Sequence, residues 1–438
     1  MRGYVVSRSE TPYPLGAHFY RDGKSGKRNL HIAFQMPACK ECGLIIQKGK
    51  REERIILPKE FAFGQIISAE ISNVKENNFS YLFFADEKRF PDPCARIFPR
   101  HREWGKLLNE SELFAGVPLE EDFSWGDDKR PMLPGNRSVL YGLHVRGFTR
   151  DASAKVHHKG TFSGIIEKLP YLTELGVNGL VLMPVYTFLE RETGEKSVNY
   201  WGFKRAFYYA PNGAYAAGPD PVEELKTLVK EAHLLGIEVI LQFFFPREYR
   251  RGDILPVLRH YRIHYHVDGF RLLGEELPMI ALCEDPLLSD CKLLCEDFPF
   301  QSLHTDASHL YKASRDFSLS MRKFVKGDEG MLKECLDWMQ RRSNGHGILN
   351  FLADYDGFRL LDAFSYERKH NEPNGEDNRD GSDFNFSWNC GAEGPTRKKG
   401  ILALRKRLIK NELCLLLLSK GTPYLFMSDE AGGTQQGN

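Results

Sequence analysis

The sequence predicts an α/β protein: a (β/α)8 barrel of the TIM type, trimmed at its end, preceded by an all-β sandwich. Short apolar runs separated by turns fill the first part of the chain, which is typical of antiparallel sheets. From residue 136 onward, apolar strands alternate with segments of helical periodicity, and about eight strand candidates favour a closed barrel over an open sheet. The expected domains are therefore residues 1–135 and 136–438.

The predicted sandwich depends on closely spaced apolar runs between Tyr13 and Asp128. These runs are LHIAFQM, GLIIQK, RIILP, GQIISAEISN and SYLFFAD. Runs of this length and spacing are typical of strands in a sandwich. The segment that follows, Asp127–Asn136 (DDKRPMLPGN), is rich in proline and charge, and we predict that it links the two domains.

The predicted barrel begins with the strand Val139–Val145 and the helix Phe162–Gly176, which ends in the glycine typical of a C-cap. The other predicted strands are Asn178–Val185, Ile237–Phe245, His266–Leu273, Lys292–Glu296, Gly347–Ala353 and Pro423–Met427. The other predicted helices are Pro221–Gly236, Leu255–Tyr265, Ser318–Lys326 and Ile401–Ser419. Chemistry in such barrels lies at the carboxyl ends of the strands. By this rule, the segments that should contain the functional residues are Gln242–Arg247, Arg271–Leu273, Glu296–Asp297 and Asp354–Asp356.

Composition and charge exclude several classes of protein. Lys and Arg number 60 against 59 Asp and Glu, so no basic field indicates nucleic-acid binding. No apolar run reaches the ~18 residues of a membrane span, and the first residues lack a signal-peptide core. Nine scattered cysteines argue against a disulfide framework and for a reducing cytoplasm. Because Cys39 and Cys42 have no matching second pair, and no nucleotide-binding glycine motif follows a strand, we expect neither a metal nor a cofactor.

Several motifs carry a resemblance to a known family. They are NYWGF (Asn199–Phe203), GIEVIL (Gly236–Leu241), HVDGFR (His266–Arg271), KLLCE (Lys292–Glu296), the polar segment Asp354–Thr396 and the early stretch SYLFFADEKRFPDPCAR (Ser80–Arg96). With these motifs the chain resembles the isoamylase and glycogen-debranching branch of the α-amylase superfamily of glycoside hydrolases. The early stretch is similar to the family's glycogen-binding-type sandwich. The resemblance implies that the ligand is an α-glucan such as glycogen, amylopectin or a maltooligosaccharide.

The resemblance also implies where the family's chemistry should lie. Retaining hydrolysis needs one carboxylate as nucleophile and a carboxylic acid that protonates the leaving oxygen. The nucleophile position lies two residues after Arg271, on the same face of the strand, and here it is Leu273, which cannot form a glycosyl ester. Glu296 occupies the position of the general acid, and Asp356 occupies that of the carboxylate that stabilises the distorted sugar.

Other positions also lack the residue that the family pattern has there. Tyr355 replaces a sugar-binding histidine, and Phe203 replaces a tyrosine. The residues that the resemblance assigns to substrate binding are Arg271, Tyr355, Trp201 and Phe203. The three polar positions after GIEVIL are replaced by Gln242, Pro246 and Arg247.

Two parts of the family's architecture are expected to be absent. Only the short segment PREYRRGD (Pro246–Asp253) bridges the gap where the family inserts a subdomain that walls the cleft. The sequence stops at Asn438, just past the last predicted strand, so we expect neither an eighth barrel helix nor the family's C-terminal β-domain. The barrel domain is in this sense predicted to be trimmed.

These observations leave three hypotheses. The first is a non-catalytic isoamylase-like protein that binds glucan or regulates an active debranching enzyme, with self-association as an alternative to such a partner. The alternative is an active α-1,6-glucosidase with an atypical nucleophile, which requires another carboxylate near Glu296. Glu275 and Glu276 are close in sequence, but we expect them past the strand end. The third is a truncated gene product without a role.

Overall fold

The structure is a computed structural model that describes residues 4–21, 27–72, 74, 79–106, 114–118, 123–191 and 198–438. The chain forms two compact units. The first comprises Met1–Gly126, Thr161–Ser163 and Val185–Thr227, and the second comprises Asp127–Gly160, Gly164–Pro184 and Leu228–Asn438. The boundary predicted between residues 135 and 136 stays a prediction. Within the described ranges, the helices are all too short or too polar to cross a bilayer.

The described residues form strands in the first part of the chain and strands alternating with helices in the second part, much as the sequence predicts. The strands are β1 (Val5–Arg8), β2 (Gly16–Arg21), β3 (Arg28–Gln35), β4 (Cys42–Lys48), β5 (Arg51–Ile56), β6 (Ala62–Phe63), β7 (Ile66–Ser72), β8 (Ser80–Ala85), β9 (Lys88–Phe90), β10 (Leu140–Leu143), β11 (Gly179–Leu182), β12 (Tyr186–Phe188), β13 (Ala206–Pro211), β14 (Glu238–Phe244), β15 (Gly269–Leu273), β16 (Lys292–Cys295), β17 (Leu310–Ala313), β18 (Gly347–Phe351) and β19 (Thr422–Phe426). The helices are α1 (Val145–Arg150), α2 (Phe162–Ile166), α3 (Leu169–Glu174), α4 (Pro221–Leu234), α5 (Arg251–His264), α6 (Met279–Cys283), α7 (Arg315–Lys326), α8 (Met331–Gln340) and α9 (Lys399–Leu418).

The first unit is built on two antiparallel sheets that share one core. One sheet has the order β1–β7–β3–β2, with β6 paired to β7, and the other has the order β5–β4–β8–β9. Side chains from both sheets form a single buried apolar cluster, in which the rings of Phe34 and Phe83 stack with their centroids 4.1 Å apart. The hairpin β12–β13 belongs to the same unit. The predicted all-β part is therefore confirmed.

The second unit contains a closed barrel of parallel strands in the order β10–β11–β14–β15–β16–β17–β18–β19, with β19 paired back onto β10. The predicted (β/α)8 barrel is thus confirmed. β17 was not predicted, because its four residues, Leu310–Ala313, include a lysine and lack the continuous apolar run expected of a buried strand. The prediction also missed α8, and it extended the first barrel strand to Val145, where α1 in fact begins.

The segment Asp127–Asn136 is not a linker, contrary to our prediction. It belongs to the barrel unit, where it is bound to the amino ends of strands. The Leu133 N–H donates to Glu238 Oε1 at 2.8 Å, and Lys292 Nζ donates to the Leu133 carbonyl at 2.6 Å. Glu238 and Lys292 are the first residues of β14 and β16. The charges that indicated a solvated linker are instead used to fix the segment to the barrel.

A buried histidine ties the same segment to the barrel strands. His233, near the end of α4, has Nδ1 2.8 Å from Asp128 Oδ1 and Nε2 2.9 Å from Asp268 Oδ2. Burial lowers the pKa of His233, but the hydrogen bonds and charges of Asp268 and Asp128 outweigh burial, so its pKa is raised. The two carboxylates therefore favour the protonated form of this imidazole.

The polar segment Asp354–Thr396 is a folded loop held by buried arginines of two helices. Arg322 of α7 donates to the Asn385 carbonyl at 3.2 Å. Arg405 of α9 donates to the Gly394 carbonyl at 2.8 Å. Backbone carbonyls held in this way fix the path of a loop that has little regular secondary structure. The loop is thus an ordered part of the barrel.

The histidine contact gives the barrel a testable dependence on pH. A histidine whose pKa is raised by folding stabilises the folded state fully at pH values below its ordinary pKa of 6.5. This stabilisation is lost as pH rises through the raised pKa. We expect the free energy of unfolding to fall with rising pH more steeply in the natural protein than in His233→Gln, which does not titrate. Urea unfolding at a series of pH values measures both slopes, and equal slopes would contradict the charged imidazole.

Candidate active site

A cavity of about 310 Å³ opens at the carboxyl ends of β15, β16, β17 and β18. Parallel strands place their carboxyl ends at one edge of the barrel, which is where chemistry lies in this fold. The cavity is lined by Arg271, Leu272, Leu273, Leu294, Cys295, Glu296, Lys312, Ala313, Ser314, Arg315, Asp316, Phe351, Asp354 and Tyr355. Charged and apolar side chains are thus mixed in one small space.

Leu273 stands in the cavity wall and contributes no oxygen from its side chain. Its backbone carbonyl accepts a hydrogen bond from the Phe245 N–H at 2.9 Å, so the strand pairing continues up to this residue. The Glu276 carboxylate accepts hydrogen bonds from Arg247 and Arg251 at 3.1 and 2.6 Å, and neither it nor Glu275 is part of the described lining. Neither Glu275 nor Glu276 therefore brings a carboxylate to the cavity wall beside Leu273.

Arg271 is paired with a carboxylate from another strand. Its Nη1 donates to Asp354 Oδ1 at 3.0 Å, and its Nη2 bonds to Asp354 Oδ2. The Tyr424 hydroxyl of β19 donates to the same Asp354 Oδ1 at 3.2 Å, and so does the Tyr355 N–H at 2.9 Å. Arg271 and Asp354 are 7% and 4% exposed, so this network is largely buried at the base of the cavity.

Burial and the charge of Asp354 both act on the pKa values of Arg271 and Tyr424. Burial lowers the pKa of Arg271, but the nearby Asp354 carboxylate outweighs burial and raises it. For Tyr424, burial and the charge of Asp354 both raise the pKa of the phenol. Arg271 therefore stays a cation, and Tyr424 stays a neutral hydrogen-bond donor.

The two predicted catalytic carboxyl groups differ in their surroundings. Glu296 lines the cavity and is exposed, and its carboxylate makes no hydrogen bond or ion pair with the described residues. Asp356 follows Tyr355 and is bound by Arg315, with the two side chains 37% and 49% exposed. Burial lowers the pKa of Arg315, but Asp356 outweighs burial and raises it. Asp356 therefore has a cationic partner in direct contact, whereas Glu296 acts on the same Arg315 only through its charge in the described residues.

Sequence reasoning did not find Arg315, because it missed the strand β17 that carries it to the cavity. A signal was present in the sequence: Ser314 followed by Arg315 and Asp316 opens a helix, and the Asp316 N–H donates to Ser314 Oγ at 3.2 Å. A serine cap of this kind marks the turn between a strand and its following helix. Asp354 lay in a segment that we singled out, but its pairing with Arg271 was not predicted.

The remaining predicted substrate-binding residues, Trp201 and Phe203, belong to the first compact unit. The Phe203 N–H donates to Asn199 Oδ1 at 3.2 Å, and the ring of Trp201 lies edge-on to Tyr200 with centroids 5.0 Å apart. Between them Gly202 has a φ of +76°, and a Cβ there would lie 2.6 Å from the ring of Phe188. NYWGF thus forms a tight turn that requires glycine, and its role in binding substrate stays a prediction.

In the described part of the chain, no group of three His, Cys, Asp or Glu side chains is placed to hold a metal ion. All nine cysteines are free thiols. The cavity can offer a polyhydroxylated ligand hydrogen bonds from Glu296, Lys312 and Arg315, together with apolar contact on Leu273 and Leu294.

Comparison with known proteins agrees with this architecture. The family model of the α-amylase catalytic domain matches residues 130–246. The glycogen operon protein GlgX homolog of Mycobacterium tuberculosis (strain ATCC 25618 / H37Rv) is 31% identical, over 97% of this chain and 73% of its own length. The chloroplastic isoamylase 3 of Oryza sativa subsp. japonica is 33% identical, over 79% of this chain and 56% of its own length. The chain thus spans little more than half of that isoamylase.

Solved structures give the same fold. Pullulanase from Bacillus acidopullulyticus matches with a TM-score of 0.70 and 17% identity, covering 97% of this chain and 58% of that chain. The GBS pullulanase SAP in complex with maltotetraose matches with a TM-score of 0.68 and 17% identity, covering 96% of this chain and 63% of that chain. Together with the two sequence relatives, the barrel and its strand-end cavity assign the family: the chain belongs to the isoamylase and glycogen-debranching branch of the α-amylase superfamily.

Proposed function

We propose that this chain binds α-glucans such as glycogen at its barrel without hydrolysing them by the retaining route of its family. The observation that carries the proposal is the closed network of Arg271, Asp354 and Tyr424 beside Leu273. It neutralises the arginine of the HVDGFR motif with a buried carboxylate, while the nucleophile position next to it has no carboxylate at all.

The retaining mechanism needs two carboxyl groups with different roles. One attacks the anomeric carbon and the other protonates the leaving oxygen. Glu296 is free to act as the acid, but Leu273 supplies no oxygen for the attack. Catalytic groups act as a unit, and the loss of one member forfeits most of the rate enhancement.

The rival function, debranching with an atypical nucleophile, has one specific observation in its favour. Asp354 is a carboxylate in the same cavity as Glu296. However, its oxygens accept hydrogen bonds from Arg271, Tyr424 and the Tyr355 N–H, and the side chain is 5% exposed. An attacking oxygen must approach the sugar carbon to about 3–3.5 Å. Asp354 would have to leave Arg271 as an uncompensated buried charge, which is costly.

The size of the cavity suits the end of a glucan chain. Ligand sites usually have volumes of ~300–1,000 Å³, and about 310 Å³ lies at the small end of that range. The mixture of hydrogen-bonding groups and apolar wall matches a sugar, which has polar edges and apolar faces. Regulation of an active debranching enzyme, self-association and a cytoplasmic location stay predictions from the sequence.

The first test is hydrolysis. We expect the purified chain to release reducing ends from glycogen and amylopectin far more slowly than ~1 s⁻¹, the low end of ordinary enzyme turnover. A reducing-sugar assay beside an active isoamylase measures this, and a binding measurement on the same glucans tests the other half of the proposal. Turnover in the ordinary range that disappears in both Glu296→Gln and Asp354→Asn would establish the rival function.

The second test asks whether the missing carboxylate can be restored. We expect Leu273→Asp alone to give at most a trace of hydrolysis and to lower the free energy of unfolding by ~2 kcal/mol, because a charge replaces an apolar wall. The new carboxylate would also compete with Asp354 for Arg271. Reducing-end release and urea unfolding measure both effects, and debranching at an ordinary rate would mean that the rest of the site is intact.

The third test concerns the buried pair itself. Asp354→Ala should destabilise the chain by ~3–5 kcal/mol, because it leaves Arg271 buried without a counter-charge. In the double variant Leu273→Asp with Asp354→Ala, Arg271 regains a carboxylate two residues away on its own strand. We therefore expect a loss of stability clearly smaller than the sum of the single losses, measured in a double-mutant cycle. Strict additivity would show that the two carboxylate positions are not interchangeable partners of Arg271.

A further inference from the structure

We propose that Phe384 is a platform on which a pyranose ring of a bound glucan stacks, just outside the barrel cavity. This assignment rests on the proposed function, because it requires that a glucan chain enters the cavity. It adds a binding position for the part of the chain that the cavity does not enclose, and it predicts a preference for longer oligosaccharides.

Phe384 is unusually accessible for an aromatic residue. Its side chain is 75% exposed, the largest value among the aromatic side chains that the structure describes. Aromatic rings normally contribute to stability by burial, and here the ring contributes little of it. One exposed apolar side chain needs no explanation by itself. The position of this one and the way in which it is held are the reasons for the proposal.

The backbone next to Phe384 is held by the buried guanidinium of Arg322. Arg322 donates to the Asn385 carbonyl at 3.2 Å and to the Leu352 carbonyl at 2.7 Å. Leu352 directly follows β18, so the residue after Phe384 is tied to the strand end that carries Asp354 into the cavity. The Phe384 N–H also donates to Ser382 Oγ at 3.1 Å. A ring presented on a preorganised backbone loses little entropy when it binds a ligand.

Asn385, the residue that follows Phe384, lies against the turn that leads away from the cavity residue Tyr355. The side-chain oxygen of Asn385 is 3.7 Å from the position that a Cβ on Gly357 would take. Gly357 follows Tyr355 and Asp356 in sequence, and Tyr355 lines the cavity. The Asn385 amide nitrogen donates to the Ser382 carbonyl at 2.9 Å, which orients the amide. An exposed ring next to an oriented amide offers both contacts that a sugar uses, an apolar face and a hydrogen bond.

The sandwich surface around Phe84 offers a less accessible ring. Phe84 on β8 is 1% exposed, and the Arg54 guanidinium lies over its ring, 3.9 Å from the centroid. A sugar could stack on Phe84 only after displacing Arg54, which is also paired with Glu41 at 2.7 Å. The ring of Phe384 needs no such displacement, and this favours the barrel edge as the position that binds an extended chain.

The test compares short and long ligands on the full chain by calorimetric titration. Maltose should be held by the cavity alone, whereas maltohexaose should extend to the ring. We expect Phe384→Ala to weaken maltohexaose binding about tenfold, the loss typical of one aromatic contact, and to leave maltose binding unchanged. Phe384→Trp should keep the affinity for maltohexaose. Leu418→Ala, at a side chain 76% exposed on the end of α9, is the matched control and should change neither ligand's affinity.

The outcomes separate this inference from the function on which it rests. If the natural chain binds neither sugar, the proposed glucan binding is wrong. If it binds maltohexaose and Phe384→Ala binds equally well, glucan binding stands and the platform is wrong. An equal loss for maltose and maltohexaose would mean that Phe384 supports the cavity itself, which also overturns the platform. A selective loss for maltohexaose that Phe384→Trp does not show supports it.

Discussion

The ion pair between Arg271 and Asp354 is the interaction on which the barrel interior depends. A guanidinium that is 7% exposed needs a counter-charge, since an unpaired buried charge costs several kcal/mol. With Leu273 nearby, the strand of Arg271 provides none, so the carboxylate comes from the end of β18, and Tyr424 of β19 joins the same contact. One polar network therefore connects three barrel strands and defines the floor of the cavity.

The HVDGFR motif is explained without reference to catalysis. His266 has Nδ1 2.8 Å from Asp128 Oδ2, and Asp268 accepts hydrogen bonds from Arg130 at 3.0 Å and from the Val239 N–H at 2.7 Å. These contacts secure the segment before β10 to the amino ends of the strands, opposite to the cavity. Arg271 acts at the other end of the same strand. His266, Asp268 and Arg271 therefore each have a structural partner, whatever the chemistry at Leu273.

The sequence allowed much of the fold, and part of the site, to be predicted. Continuous apolar strands such as β14 and helices with clear ends such as α4 were located, because their signals are local. β17 was missed, because Lys312 interrupts its short apolar run. The pairing of Arg271 with Asp354 was not predictable, since it joins residues 83 positions apart and depends on closure of the barrel. The segment before β10 was misjudged, because composition cannot distinguish a solvated charge from one bound to a partner such as Asp268.

Arg315 occupies the Asp356 carboxylate, so a ligand that binds Asp356 competes with Arg315 for it. Each side chain is roughly half-exposed, and ion pairs of this kind contribute only ~0–1 kcal/mol. If Asp356 binds sugar as the family resemblance implies, a neutral sugar that offers it two hydroxyl groups must first exchange with the guanidinium, and the exchange costs little. Salt weakens such a half-exposed pair but has little effect on a hydroxyl–carboxylate contact. Ionic strength should therefore favour occupation by an uncharged ligand, the opposite of its usual effect on sites that bind by charge.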